Sequence, residues 1–215
     1  MSNVYFVKST EEDFYTKTLD GHKKVNFQSI GNMIKTHTIK PNTKSFGKKR
    51  RLSTTIIHKN YLKTYRPQGL IFQTDAKPDY MLPFDLVLLS DVTDMIVHYY
   101  RIKNKLYEYY GHKLIPGFGL FVFKNFDVMM KKFPSPKKAW KATNEFRISN
   151  GYERLPKQKY RLVEYNEVIF HQPIKVTPVA VFGYRKEAKE IANQYRLPHF
   201  ISARKFYQKV ASNKR

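Results

Sequence analysis

Apolar and polar positions change period several times along the chain, and each change marks an expected element. Residues 3–7 (NVYFV) are β-branched and aromatic, the composition of a short strand. Residues 25–40 alternate loosely and predict one or two strands. Residues 41–53 break the pattern with Pro, Gly and Ser and read as a loop. Residues 54–65 return to β-type composition, and 70–74 (LIFQT) predict another strand. Residues 75–83, with Pro78 and Pro83, read as a turn region.

The clearest helical period covers 91–110. Val92, Met95, Ile96, Tyr99, Ile102, Leu106 and Tyr110 recur every three to four residues, after Ser90 as N-cap and before Gly111 as stop. A second helix is expected over 136–150, capped by Ser135 with Pro136 in the first turn. Its expected buried side is Ala139, Trp140, Thr143 and Phe146, with Lys137, Lys138, Lys141 and Arg147 outward. Residues 118–126 (FGLFVFKNF) read as a strand. Residues 160–170 and 174–182 read as two strands joined around Gln172–Pro173 as a hairpin. Two short helices, 185–195 and 202–211, close the chain. Strands and helices without regular βαβ alternation predict an α+β fold. It should be a compact mixed fold with short, mainly antiparallel strands and about four helices. One domain over 1–215 is expected, with a subdivision near 75–90 as the alternative.

Charge changes the picture. The 215 residues hold 40 Lys+Arg against 17 Asp+Glu, a formal net charge of +23. Sixteen Tyr, sixteen Phe and one Trp separate the chain from a disordered basic tail. With no cysteine, disulfide scaffolds, thiol nucleophiles and zinc ribbons are excluded. No apolar run approaches the ~18 residues of a membrane span. Residues 1–20 carry Glu11, Glu12 and Asp13 without an apolar core, so no secretion signal is expected. The expected location is intracellular, in a nucleus or nucleoid or packaged in a virion.

The cations fall into blocks. No acid occurs from 21 to 66, a stretch that includes Lys44, Lys48, Lys49, Arg50, Arg51, Lys59 and Lys63. Acids dominate 67–97, and basic character returns at 131–161 and 185–215. Spread over the chain rather than gathered on one amphipathic helix, the charge favours nucleic acid over a membrane surface. The expected contacts are Lys44, Lys48, Lys49, Arg50, Arg51, Lys59, Lys63, Lys137, Lys138, Lys141, Arg204, Lys205 and Lys209, converging on one face or groove. Lys48–Arg51 in an exposed loop would track phosphates or serve as an import signal. Arg50–Arg51–Leu52–Ser53 also fits a basophilic kinase site.

Candidate catalysis is weaker. The seven histidines show no H-x-x-x-H spacing. Pro78–Asp79 offers the opening of a PD-(D/E)xK nuclease pattern. However, Asp75–Ala76–Lys77 precedes it and Glu187–Ala188–Lys189 falls on an expected helix. Gly117–Phe118–Gly119 is too short for a phosphate loop. The closing helices invite a helix-turn-helix reading over 190–211, with Arg204, Lys205, Gln208 and Lys209 facing a groove. The long turn with Pro198 and no Gly favours a plain helix pair with a basic outer face. Cations alternate with aromatics at 61–65 and 206–209, yet Tyr and Phe must also build the core.

These features predict a non-enzymatic, largely sequence-independent nucleic-acid-binding protein without metal or cofactor. Double-stranded DNA packaging is favoured, and an RNA-binding structural protein of ribosomal or mitoribosomal type is the alternative. A metal-dependent nuclease comes third. DNA is preferred over RNA, no membrane partner is expected, and a homodimer would lengthen the basic surface.

Overall fold

In the computed structural model, residues 4–9, 29–41, 52–89 and 115–213 are described. The expected helix over 91–110 lies outside them, as do Lys44, Lys48, Lys49, Arg50 and Arg51. Nine strands are present among the described residues: β1 (Phe6–Ser9), β2 (Thr38–Ile39), β3 (Leu52–Ile56), β4 (Gly69–Gln73), β5 (Tyr80–Leu82), β6 (Glu167–Phe170), β7 (Ile174–Lys175), β8 (Thr177–Phe182) and β9 (His199–Phe200). Seven form one sheet in the order β5-β6-β3-β1-β4-β8-β9, and β2 pairs with β7 separately. Every strand pair is antiparallel except β8 with β9. Five α-helices accompany the sheets among the described residues: α1 (Ile30–Thr36), α2 (Phe126–Lys132), α3 (Pro136–Ser149), α4 (Lys186–Gln194) and α5 (Ala203–Ser212). Three 3-10 segments, Leu86–Leu89, Phe118–Phe121 and Lys157–Val163, complete the set. The fold is the expected α+β mixture of short, mostly antiparallel strands, with somewhat more helices than four.

Successive strand residues point to opposite faces, so β1, β4 and β8 each feed two cores. Phe6, Leu70, Phe72 and Val181 enter the larger core with α1, α3 and α4. Val7, Ile71, Ala180 and Phe182 enter a smaller core on the other face, where Ala203 and Phe206 of α5 cover them. Phe206 sits edge-on to both Tyr5 (5.0 Å) and Phe200 (5.4 Å).

Several expected elements are corrected. Residues 30–36 form α1 rather than a strand, because Ile30, Met33 and Ile34 bury one helical face and Ser29 accepts from the Asn32 amide. Residues 118–126 are not a strand. Gly117, at φ +82°, turns the chain into a 3-10 segment, Phe121 and Phe123 pack against Phe133, and the extended pairing shrinks to a single bridge between Phe123 and Met81 of β5. Within 160–170, the first part is also 3-10 and only Glu167–Phe170 is extended. No hairpin forms around Gln172–Pro173. β3 and β5 occupy both edges of β6, which leaves β8 to pair with β4 and β9. The expected turn over 75–83 contains β5.

Candidate nucleic-acid interface

Helix α3 starts where its sequence says it should. The Ser135 hydroxyl accepts from the Lys138 amide, and Pro136 takes the first turn without needing a donor. Ala139, Thr143 and Arg147 follow at intervals of four and bury one stripe. Lys137, Lys138 and Lys141 are thereby left exposed. Arg147 corrects the expected outward set, since it is only 3% exposed. Its guanidinium donates to the carbonyls of Leu88 (3.3 Å) and Glu153 (3.0 Å) and lies 5.6 Å from the Tyr152 ring. It ties the helix to neighbouring backbone and is no phosphate contact. Lys141 pairs with Glu145 at 3.7 Å, but both are well exposed, so the pair is worth little.

The acid-free block reaches the same corner of the molecule. After β3, His58 and Tyr61 exchange backbone hydrogen bonds around a tight turn with Lys59 exposed at its tip. Asn60 Nδ2 donates to the Pro134 carbonyl (2.6 Å), and the Tyr61 hydroxyl donates to the Phe133 carbonyl (3.0 Å). Burial pushes the Tyr61 phenol well above its ordinary value, so it stays a donor. These bonds dock the Lys59 turn onto the connection between α2 and α3. Lys59, Lys137 and Lys138 therefore belong to one corner. Lys131, exposed at the end of α2, joins it. The signal for Lys131 is the stretch 128–144, which holds five lysines and no acid. Lys132 is committed to the Leu120 carbonyl (3.1 Å) and lies 5.7 Å from the rings of Phe123 and Phe133.

Lys63 reaches the surface already paired, its Nζ 2.7 Å from Glu164 Oε2. Two residues on, Tyr65 is 52% exposed, edge-on to Tyr165, with the Arg66 guanidinium 4.3 Å from its ring centre. Tyr61 is fully buried, so the alternation at 61–65 builds packing at one end and a surface ring at the other.

The third block lies elsewhere. Ser202 caps α5 by accepting from the Lys205 amide, Ala203 and Phe206 bury, and Arg204, Lys205 and Lys209 are exposed. The helix-turn-helix reading fails on topology, and so does the plain helix pair. Strand β9 separates α4 from α5. Ala188, Ile191 and Ala192 of α4 pack into the larger core, while α5 packs into the smaller one. The two helices cover opposite faces of the sheet. Among the described residues, Arg204, Lys205 and Lys209 thus lie on a different surface from Lys137, Lys138 and Lys141.

The remaining candidates have structural work. Ser53 donates to Glu167 Oε1 (2.8 Å), and Glu167 is buried and also accepts from the Leu86 amide. A phosphate on Ser53 would face that buried carboxylate, which argues against the kinase site. Asp79 accepts from the His171 amide (2.7 Å) and sits 3.3 Å from its Nδ1. Asp85 bonds the Val87 amide and the Tyr165 hydroxyl (2.7 Å). His199 Nε2 meets the Gly183 carbonyl at 2.8 Å. Among the described residues no group of three or more His, Asp or Glu side chains could hold a metal ion. No helix among them is long and apolar enough to cross a membrane. In comparisons with known proteins, no family model, no curated protein and no solved structure matches the chain.

Proposed function

We propose that this protein binds nucleic acid through its phosphates, largely without regard to sequence, and organises or packages double-stranded DNA without catalysing a reaction on it. The observation that supports the reading is the exposure of uncommitted lysines and arginines in acid-free stretches. Lys59, Lys131, Lys137 and Lys138 share one corner, and Arg204, Lys205 and Lys209 share one helix. Such groups release counterions from a duplex and read no base identity.

Where the aromatic rings lie favours phosphate contact over base stacking. A single-strand binder lines a basic groove with exposed rings. Here Tyr61, Phe6, Phe72, Phe121, Phe170 and Phe206 are in the core. Among the described residues, the well-exposed rings are Tyr65 and Tyr184, at 52% and 67%.

Competition between DNA and RNA duplexes of equal length tests the reading. Preferential retention of DNA with no dependence on sequence is the expected result. Preference for the RNA duplex would move the role to an RNA-binding structural protein. Cleavage of either duplex on adding Mg²⁺ or Mn²⁺ would overturn the non-enzymatic reading.

A further inference from the structure

We infer that a single copy of this protein bridges two nucleic-acid duplexes, one held at the α3 corner and one along α5; the inference rests on the nucleic-acid reading above. Its basis is the separation of the two basic surfaces by the sheet. Ala139 places α3 in the larger core, and Ala203 and Phe206 place α5 in the smaller one. These cores lie on opposite faces, because Phe6 and Val7, or Leu70 and Ile71, point in opposite directions from adjacent positions. The charged sides of the two helices face away from their own cores.

Distance makes the surfaces independent. Helix α3 packs on the 3-10 segments that follow β5 and precede β6, at one edge of the sheet, and α5 packs beside β9 at the other edge, which puts roughly 25 Å of sheet between them. At physiological salt the Debye length is about 8 Å, so a phosphate held at one surface is screened from the cations of the other. A straight, stiff duplex lying on Lys137 and Lys138 does not reach around the sheet to Arg204, Lys205 and Lys209. A second duplex can.

Each surface also has the charge to hold a polyanion. The α3 corner draws on 128–144, with five lysines and no acid, and on Lys59. Helix α5 lies within 191–215, which contains no acid at all. Acids are sparse beside these cations: Glu145 pairs with Lys141 at 3.7 Å on α3, Asp127 opens α2, and α5 carries no acid. Partners of one chemistry, the phosphate backbone, therefore fit both.

Capture of a labelled duplex by an immobilised duplex of unrelated sequence tests the inference. Two triple variants are compared with the natural chain: Lys137→Ser, Lys138→Ser, Lys141→Ser on α3, and Arg204→Ser, Lys205→Ser, Lys209→Ser on α5. A charge-matched control replaces the exposed Lys77, Lys175 and Lys189. The natural chain and the control should capture the second duplex. Each triple variant should still bind one duplex, with a log–log salt slope shallower by roughly 2–3, while capture is lost. Capture by either variant at the natural level overturns the inference, as does equal loss in the control, which would make net charge the cause. A natural chain that binds one duplex yet captures no second one also overturns it and leaves the nucleic-acid reading intact. A chain that binds no duplex overturns both.

Discussion

At Gly69 a single missing Cβ decides whether three strands can meet. A Cβ built there would lie 2.2 Å from the Lys8 carbonyl oxygen, 2.8 Å from Ser9 Cα and 2.9 Å from the Phe182 ring. Two of those atoms are backbone of β1, which pairs with β4 through Ser9 and Gly69. Gly69→Ala must push the central strands apart and should cost about 2–3 kcal/mol, read as a lower denaturant midpoint at unchanged m. His58 works through charge. Its ring is half-buried and edge-on to Phe126 at 5.7 Å. Burial first, and the neighbouring Lys59 second, hold its imidazole below the ordinary 6.5, with Asp127 opposing them. An unfolded chain takes up this proton near pH 6.5 and the folded chain only at lower pH. Stability from this residue is therefore complete above pH 6.5 and is lost as pH falls through the folded value. His58→Gln should flatten that part of the pH dependence in urea midpoints measured from pH 7.5 downward.

At the scale of elements, local signals succeed where they are self-contained. Ser135, Pro136 and a stripe at four-residue spacing define α3 without help from the rest of the chain. Ser135→Ala should remove about 1 kcal/mol and lower Tm by roughly 2–4 °C for a chain of this size. Duplex affinity below the transition should be unchanged, because the lysines remain in place. Local signals fail where a partner decides. The aromatic run at 118–126 has strand composition, but Phe121 and Phe123 find Phe133 and Phe146, so a 3-10 turn wins. Arg147 lies on the stripe of Ala139 and Thr143, and hydrogen bonds to the nearby carbonyls of Leu88 and Glu153 help make its burial tolerable. Arg147→Met would leave those carbonyls without their donor. It should cost about 2–3 kcal/mol, more than Lys137→Met on the exposed side, by comparison of thermal unfolding.

At the scale of the molecule, affinity follows from charge. If about a third of the net charge of +23 meets phosphates, roughly eight counterions are released, and log K falls against log salt with a slope near −7. Affinities for random and AT-rich duplexes should stay within about tenfold of one another. Parallel salt titrations on these duplexes check both statements. A shallow slope would assign the basic surface to solubility. A preference of roughly 10³-fold for one sequence would demand base-edge contacts, for which α5 would need to enter a groove alone.

Composition and period were enough for the class of fold, the three closing helices at 136–150, 185–195 and 202–211, and the exposure of Lys137, Lys138, Lys141, Arg204, Lys205 and Lys209. Each of these depends on spacing within one element, which a sequence carries directly. Pairing was not legible. That β6 is flanked by β3 and β5, while β8 pairs with β4, depends on contacts between residues far apart in the chain, such as Met81 and Thr54, both with Val168. The same holds for the basic blocks. Three runs of cations along the chain say nothing about which side of a sheet they will occupy. The parallel strand β9, two residues long, carries the chain from the face covered by α4 to the face covered by α5. The larger core could not bury Phe206 as well, because Val7, Ile71, Ala180 and Phe182 project from the opposite face of the strands and need a cover of their own.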